Sequence, residues 1–245
     1  MASKSESSHA TNIANFKTLI IVCEKFGTIY FPSNDSISIV NMEAQVEEVE
    51  DLFNDHIVAY EATKNPIYLK SDLIKKIKKR AIKTKDFFVA TNASASTKKD
   101  VKGLVRAITG SNVRKKKPKD GMPAQKWVSN SHLGVAKIMD NFEKLVSLYQ
   151  AEEHYTPNEN DFKIASLLAL VDDLSTANTL VAEVTADEAI KRVARNEGLY
   201  REDTGLVDVS LKCKNYVKAV FGARSAEAKL VTKIKLKRIM RKKEV

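Results

Sequence analysis

The amino-acid sequence predicts an all-α protein, organised as two tandem, pseudo-repeated four-helix bundle-like units with a basic C-terminal tail. Three observations predict it. Apolar residues recur at helical spacing along most of the 245 residues. The 8 glycines and 5 prolines are too few for the many tight turns of an all-β fold, while 43 % hydrophobic residues is ordinary for a globular chain. Finally, Tyr30-Phe31-Pro32-Ser33-Asn34-Asp35-Ser36-Ile37 has a twin in Tyr155-Thr156-Pro157-Asn158-Glu159-Asn160-Asp161-Phe162, 125 residues later. Each is a helix-stopping proline followed by polar capping residues and a fresh amphipathic run, the pattern of a turn between two antiparallel helices.

Residues 1–12 are Ser-rich and polar, without the apolar core of a signal peptide, and are expected to be a disordered leader. Ile13, Phe16, Leu19, Ile20, Cys23 and Phe26 then outline a first helix ending near Gly27. After the Pro32 turn, a second helix over about residues 36–63 carries Ile39, Val40, Val46, Val49, Phe53, Ile57 and Tyr60 mainly on one side, and Glu43, Glu47, Glu48, Glu50 and Asp51 around the other. Asn65-Pro66 is expected to break it. Ser71-Asp72 would cap a third helix, setting Leu73, Ile74, Ile77, Ile82 and Phe87 against a dense lysine face. A fourth, over about residues 97–109, buries Val101, Leu104, Val105 and Ile108 and stops at Gly110.

Residues 111–130 read as a basic linker that cannot form one continuous helix, dividing a first helical unit (13–110) from a second (131–222) and a basic tail (223–245). The second unit repeats the first. Asn141-Phe142 echoes Asn15-Phe16, Glu47-Glu48 aligns with Asp172-Asp173, and Val105 to Gly110 matches Val217 to Gly222. Its later helices are expected near residues 185–194 and 207–221. The tail reads either as an edge strand, from Ile234-Lys235-Leu236-Lys237, or as a basic helix. Phe221-Gly222-Ala223-Arg224-Ser225-Ala226-Glu227-Ala228-Lys229, together with the Tyr-x-Pro turn and the acidic second helix, resembles a broad group of uncharacterised bacterial all-helical proteins. That resemblance implies a bundle-like fold and carries no activity, cofactor or catalytic residue.

Chemistry is sparsely signalled. Cys23 and Cys213 sit in apolar helical patterns and are expected as free, buried thiols in a reducing compartment. The four histidines are far apart in sequence and lack metal-ligand spacing, His56 reading as a surface or capping residue. Isolated glycines make no phosphate-cradling loop. Ser8-His9 and Ser131-His132 lack an orienting third group. The pairs Glu47-Glu48 and Asp172-Asp173 fit a solvated acidic face, with metal-assisted catalysis as the alternative. No cofactor and no small-molecule substrate are identifiable, and no run is expected to cross a bilayer.

Charge is the strongest functional signal. The net charge of +10 is concentrated in residues 67–90, 111–130 and 223–245. These hold Lys75, Lys76, Lys78, Lys79, Arg80 and Lys83; Arg114, Lys115, Lys116, Lys117 and Lys119; and Lys233, Lys235, Lys237, Arg238, Arg241, Lys242 and Lys243. The linker also holds Trp127, expected to anchor it to a bundle. The expectation is a cytoplasmic, homo-oligomeric, non-catalytic interaction protein that self-assembles through basic arms and an acidic face of Glu43, Glu47, Glu48, Asp172 and Asp173. Nonspecific nucleic-acid binding, or docking on an acidic protein surface, by the same basic residues is the alternative.

Overall fold

The structure, a computed structural model, describes residues 4–110 and 134–239. The described chain is all-α: α1 (Lys4–Glu24), α2 (Ile39–Val89), α3 (Ala95–Thr109), α4 (Val135–Ala151), α5 (Ile164–Tyr200), α6 (Leu206–Phe221) and α7 (Ala226–Lys233). Short 3-10 turns at Gly27–Ile29, Asp35–Ile37 and Asn160–Phe162 complete it, with no strand among the described residues.

Three expectations about these elements are corrected. Residues 4–12, expected in a disordered leader, form the first turns of α1, and His9 and Asn12 are buried. Their polar groups find partners that the local sequence does not reveal: His9 Nδ1 bonds the Tyr200 hydroxyl at 2.8 Å, and Asn12 bonds the Lys237 backbone twice. Asn65-Pro66 does not end the second helix, because α2 runs unbroken for 51 residues with Pro66 inside it. A proline removes one ladder bond, here to the Ala62 carbonyl, at a cost of about 3 kcal/mol. Ala62 is exposed, so water can take that bond, and packing along the rest of α2 outweighs the loss. Likewise α5 absorbs the separate helix expected near residues 185–194.

Continuity of the long helices decides the tertiary organisation. A continuous helix cannot fold its second half back onto its first, so each half must complete its core with other parts of the chain. The chain accordingly forms two compact units, Met1–Ala62 with Val184–Val245, and Thr63–Glu183. These cut across the expected divisions at 13–110 and 131–222. In the first unit α1 and the start of α2 pack with the end of α5, α6 and α7, burying Phe16, Leu19, Met42, Val49, Leu199 and Val217. In the second, the end of α2 and α3 pack with α4 and the start of α5, burying Ile77, Phe88, Ile108, Phe142, Leu145 and Leu174. Each core therefore joins helices from both halves of the sequence.

The two Tyr-x-Pro turns fold alike. The Tyr30 hydroxyl donates to the Ile37 carbonyl and the Tyr155 hydroxyl to the Phe162 carbonyl, both at 2.7 Å. Each tyrosine is anchored by other rings: Tyr30 stands edge-on to Tyr216 at 5.3 Å, and Tyr155 stacks on Tyr149 at 4.2 Å. Elsewhere Ser94 and Ser225 cap α3 and α7 by accepting from Thr97 and Ala228 backbone N–H groups. Gly110 ends α3 with φ +65°, a left-handed conformation that glycine adopts without steric cost.

One described helix, α5, is long and apolar enough to cross a membrane by length and composition, with mean hydropathy 1.3 over an 18-residue window. Its apolar residues Leu167, Leu170, Val171, Leu174 and Ala177 are core residues of the second unit, however, and Asp172 and Asp173 are exposed beside them. That is the profile of an amphipathic helix packed by one face into a core.

Candidate interaction surfaces

α2 changes sign along its length. From Ile39 to Ala62 it holds seven Asp/Glu and no Lys/Arg; from Thr63 to Val89 it holds nine Lys/Arg and two Asp. Apolar positions 42, 46 and 49 face the first core and 73, 77, 81 and 88 the second. Most of the charged residues between them therefore point outward, Arg80 being the exception.

The basic residues of α2 divide by what they hold. Arg80 is nearly buried: it pairs with the Asp161 carboxylate at 2.7 Å, donates to the Asp161 carbonyl, and lies 5.9 Å from the centre of the Phe162 ring. It clamps the Tyr155 turn and is a structural residue. Lys75 pairs with Asp72 at 2.9 Å and Lys85 with Asp86 at 2.9 Å, both on the surface. Lys76, Lys79 and Lys83 are exposed and Lys78 half-exposed, with no ion-pair partner among the described residues. α3 adds exposed Lys99 and Lys102 to the same unit.

The acidic residues divide in the same way. Glu50 is held by Lys17 at 2.6 Å and Asp55 by Lys191 at 2.8 Å. Glu43, Glu47, Glu48 and Asp51 are exposed, without an ion-pair partner among the described residues. Asp172 and Asp173 are exposed as well, in the other compact unit from Glu47 and Glu48. Among the described residues no three His, Cys, Asp or Glu side chains converge as a metal-ligand set.

The tail is docked as far as it is described. α7 is followed by an extended segment from Ile234, whose carbonyl accepts from Lys214 Nζ at 2.6 Å. Asn15 donates to the Lys235 carbonyl and Asn12 to that of Lys237, each at 2.8 Å. Arg238 donates to the Tyr200 carbonyl at 2.9 Å and to the Asp208 carboxylate at 2.6 Å, holding the Asp208 carboxyl below its usual range. Arg238 is thus committed within the chain, whereas Lys233, Lys235 and Lys237 stay exposed. Arg114, Lys115, Lys116, Lys117, Lys119, Trp127, Ser131, His132, Arg241, Lys242 and Lys243 lie outside the described residues.

No family model, curated protein or solved structure matches this chain. Its surfaces and buried polar groups therefore stand on their own chemistry.

Two buried clusters in the first unit escaped sequence reasoning. His56, expected at the surface, is 4 % exposed, and Arg195 is 3 % exposed. Arg195 Nη1 lies 2.9 Å from His56 Nδ1, and His56 Nε2 lies 2.9 Å from Glu188 Oε1. A guanidinium only donates, so Nδ1 accepts, the ring proton sits on Nε2, and Nε2 donates to Glu188. Both ring nitrogens are engaged, which suits a structural cross-brace between α2 and α5 rather than a general base. The second cluster is Cys23 and Cys213, buried free thiols as expected, with sulfurs 3.4 Å apart across 190 residues of sequence. The Tyr30 hydroxyl lies 3.3 Å from Cys213 Sγ. The hydrogen bond to Cys213, reinforced by burial, holds the Cys23 thiol protonated well above the ordinary thiol range. Helical spacing marked both cysteines as buried, but nothing local could pair them.

Proposed function

We propose that the protein is a non-catalytic interaction protein that self-associates through complementary charged helix faces. The observation that supports this is the coexistence, on α2, of exposed acids and exposed lysines that no opposite charge within the described chain neutralises. Complementary fields of this kind steer association and reject like-charged partners more than they supply affinity. The expected behaviour is association at low ionic strength that weakens as salt shortens the Debye length. Sedimentation velocity across a salt series tests it, and a monomer at low salt and high protein concentration overturns it.

A second reading has its own support. Residues 63–110 carry thirteen Lys/Arg against three Asp/Glu, an excess that suits a phosphate backbone. Binding of this kind would shift duplex or single-stranded nucleic acid in a gel at low salt and lose affinity steeply with added salt. No shift at micromolar protein and low salt overturns it.

A further inference from the structure

The buried cysteine pair takes no part in the charged surfaces. Cys23 of α1 and Cys213 of α6 belong to the same compact unit, both are fully buried, and their sulfurs lie 3.4 Å apart. A disulfide needs about 2.0 Å, so side-chain movements that bring the sulfurs about 1.4 Å closer would join them. The protons around the pair are ordered by their number. The Tyr30 hydroxyl has one proton and donates it to the Ile37 carbonyl at 2.7 Å, so in its 3.3 Å contact with Cys213 the thiol is the donor. That contact uses the proton of Cys213, and Cys23 is therefore the donor to Cys213 Sγ.

We infer that Cys23 and Cys213 are a reversible oxidation site, converted by a small peroxide into an intramolecular disulfide that staples α1 to α6. The hydrogen bond from Cys23, with the Lys214 charge adding to it against the effect of burial, lowers the Cys213 thiol, so Cys213 is the sulfur that attacks first. It takes one peroxide oxygen, the O–O bond breaks, and the Cys213 proton leaves with the departing hydroxide as water, giving a sulfenic acid. The Cys23 sulfur then attacks the Cys213 sulfur, the S–O bond breaks, and the Cys23 proton leaves with the hydroxyl as a second water. Two thiols have lost two electrons to one peroxide. Burial keeps bulky oxidants from either sulfur, and a resolving thiol already in contact intercepts the sulfenic acid before it oxidises further. The pair is 190 residues apart in sequence, and the ring it closes contains the whole of the second unit, Thr63–Glu183. A cross-link over so long a loop restricts the unfolded chain most, which makes the oxidised protein the more stable form.

The test treats the folded full chain with hydrogen peroxide, removes the excess with catalase, and then unfolds the protein in a thiol-alkylating reagent. Both thiols are expected to be lost to the reagent. A non-reducing gel is expected to show a faster-moving monomer band, which dithiothreitol returns to the reduced position. The urea midpoint of the oxidised chain is expected to lie above that of the reduced chain. Cys23→Ser and Cys213→Ser are each expected to abolish the band and the rise in midpoint, with far-UV circular dichroism reporting their fold. The wild-type measurements decide the matter even where a serine variant does not fold. A folded chain that keeps both thiols under peroxide, or forms the disulfide only after unfolding, overturns the site. Cross-linking between chains, or irreversible sulfinic oxidation in place of the disulfide, overturns it as well. An oxidised chain with a lower urea midpoint than the reduced one overturns the staple, since the bond would then strain the fold.

Discussion

The Tyr155 hydroxyl donates to the carbonyl of Phe162 at 2.7 Å, tying the turn after α4 to the entry of α5. Tyr30 makes the same bond to Ile37 in front of α2, so the strongest sequence repeat in the chain is also a repeat of hydrogen-bond geometry. Removing either hydroxyl leaves its acceptor, the Ile37 carbonyl of a buried bond or the Phe162 carbonyl of a part-buried one, without that donor. Tyr30→Phe and Tyr155→Phe are each expected to cost about 1–3 kcal/mol, read as lower urea midpoints. Tyr68→Phe, at an exposed position, is expected to stay within about 0.5 kcal/mol of wild type. Equal stability of all three variants would contradict this account of the turns.

Gly198 of α5 marks a close helix approach in the first unit. A Cβ placed there would lie 3.0 Å from Val49 Cγ2 and 3.2 Å from Leu52 Cδ1. Gly198→Val is therefore expected to destabilise by about 1–3 kcal/mol through overpacking. Gly103 of α3 is the contrasting position, with nothing within 4 Å of its would-be Cβ, so Gly103→Ala is expected to stabilise by about 0.5–1 kcal/mol. Chemical denaturation of the two variants side by side checks both signs.

Alkaline pH is expected to weaken the fold. Burial pushes the Tyr30, Tyr149 and Tyr155 phenols well above the ordinary range near pH 10. Raised folded values mean that the folded state keeps these protons when the unfolded chain has lost them. The stability they contribute is complete below the unfolded value and falls as pH rises past it. Burial lowers the Lys214 ammonium and acts in the opposite sense, but as one group against three. At the acid end, Asp208 is lowered first by its hydrogen bond from Arg238, so its contribution is present above pH ~4 and lost below. Denaturant midpoints should drop between pH 8.5 and 11, and should drop less in a Tyr149→Phe variant. A flat alkaline profile would contradict the burial of these phenols.

Much of the helical content was legible from period and punctuation. Phe16, Leu19 and Cys23, and later Phe142, Leu145 and Tyr149, announced their buried faces, and Gly110 announced an end. The exposed acids and lysines of α2 followed from the same periodicity, since residues outside a buried stripe face water. Pro66 misled because a proline is a local cost, while its acceptance depends on packing along a helix of 51 residues. His56 misled because a polar side chain reads as exposed until its partners are known, and both partners, Glu188 and Arg195, lie more than 130 residues away.

The order of amphipathic segments, the matching Tyr-x-Pro turns and the charge reversal along α2 are properties of local spacing, and spacing is written in the chain. Which segments share a core is not. Periodicity says that a face must be covered but not by what, because apolar burial is non-directional and any complementary stripe satisfies it. Helix continuity through Pro66 and through α5 resolved that choice. It places α1 with α6 in one unit and α3 with α4 in the other, and sets Cys23 against Cys213.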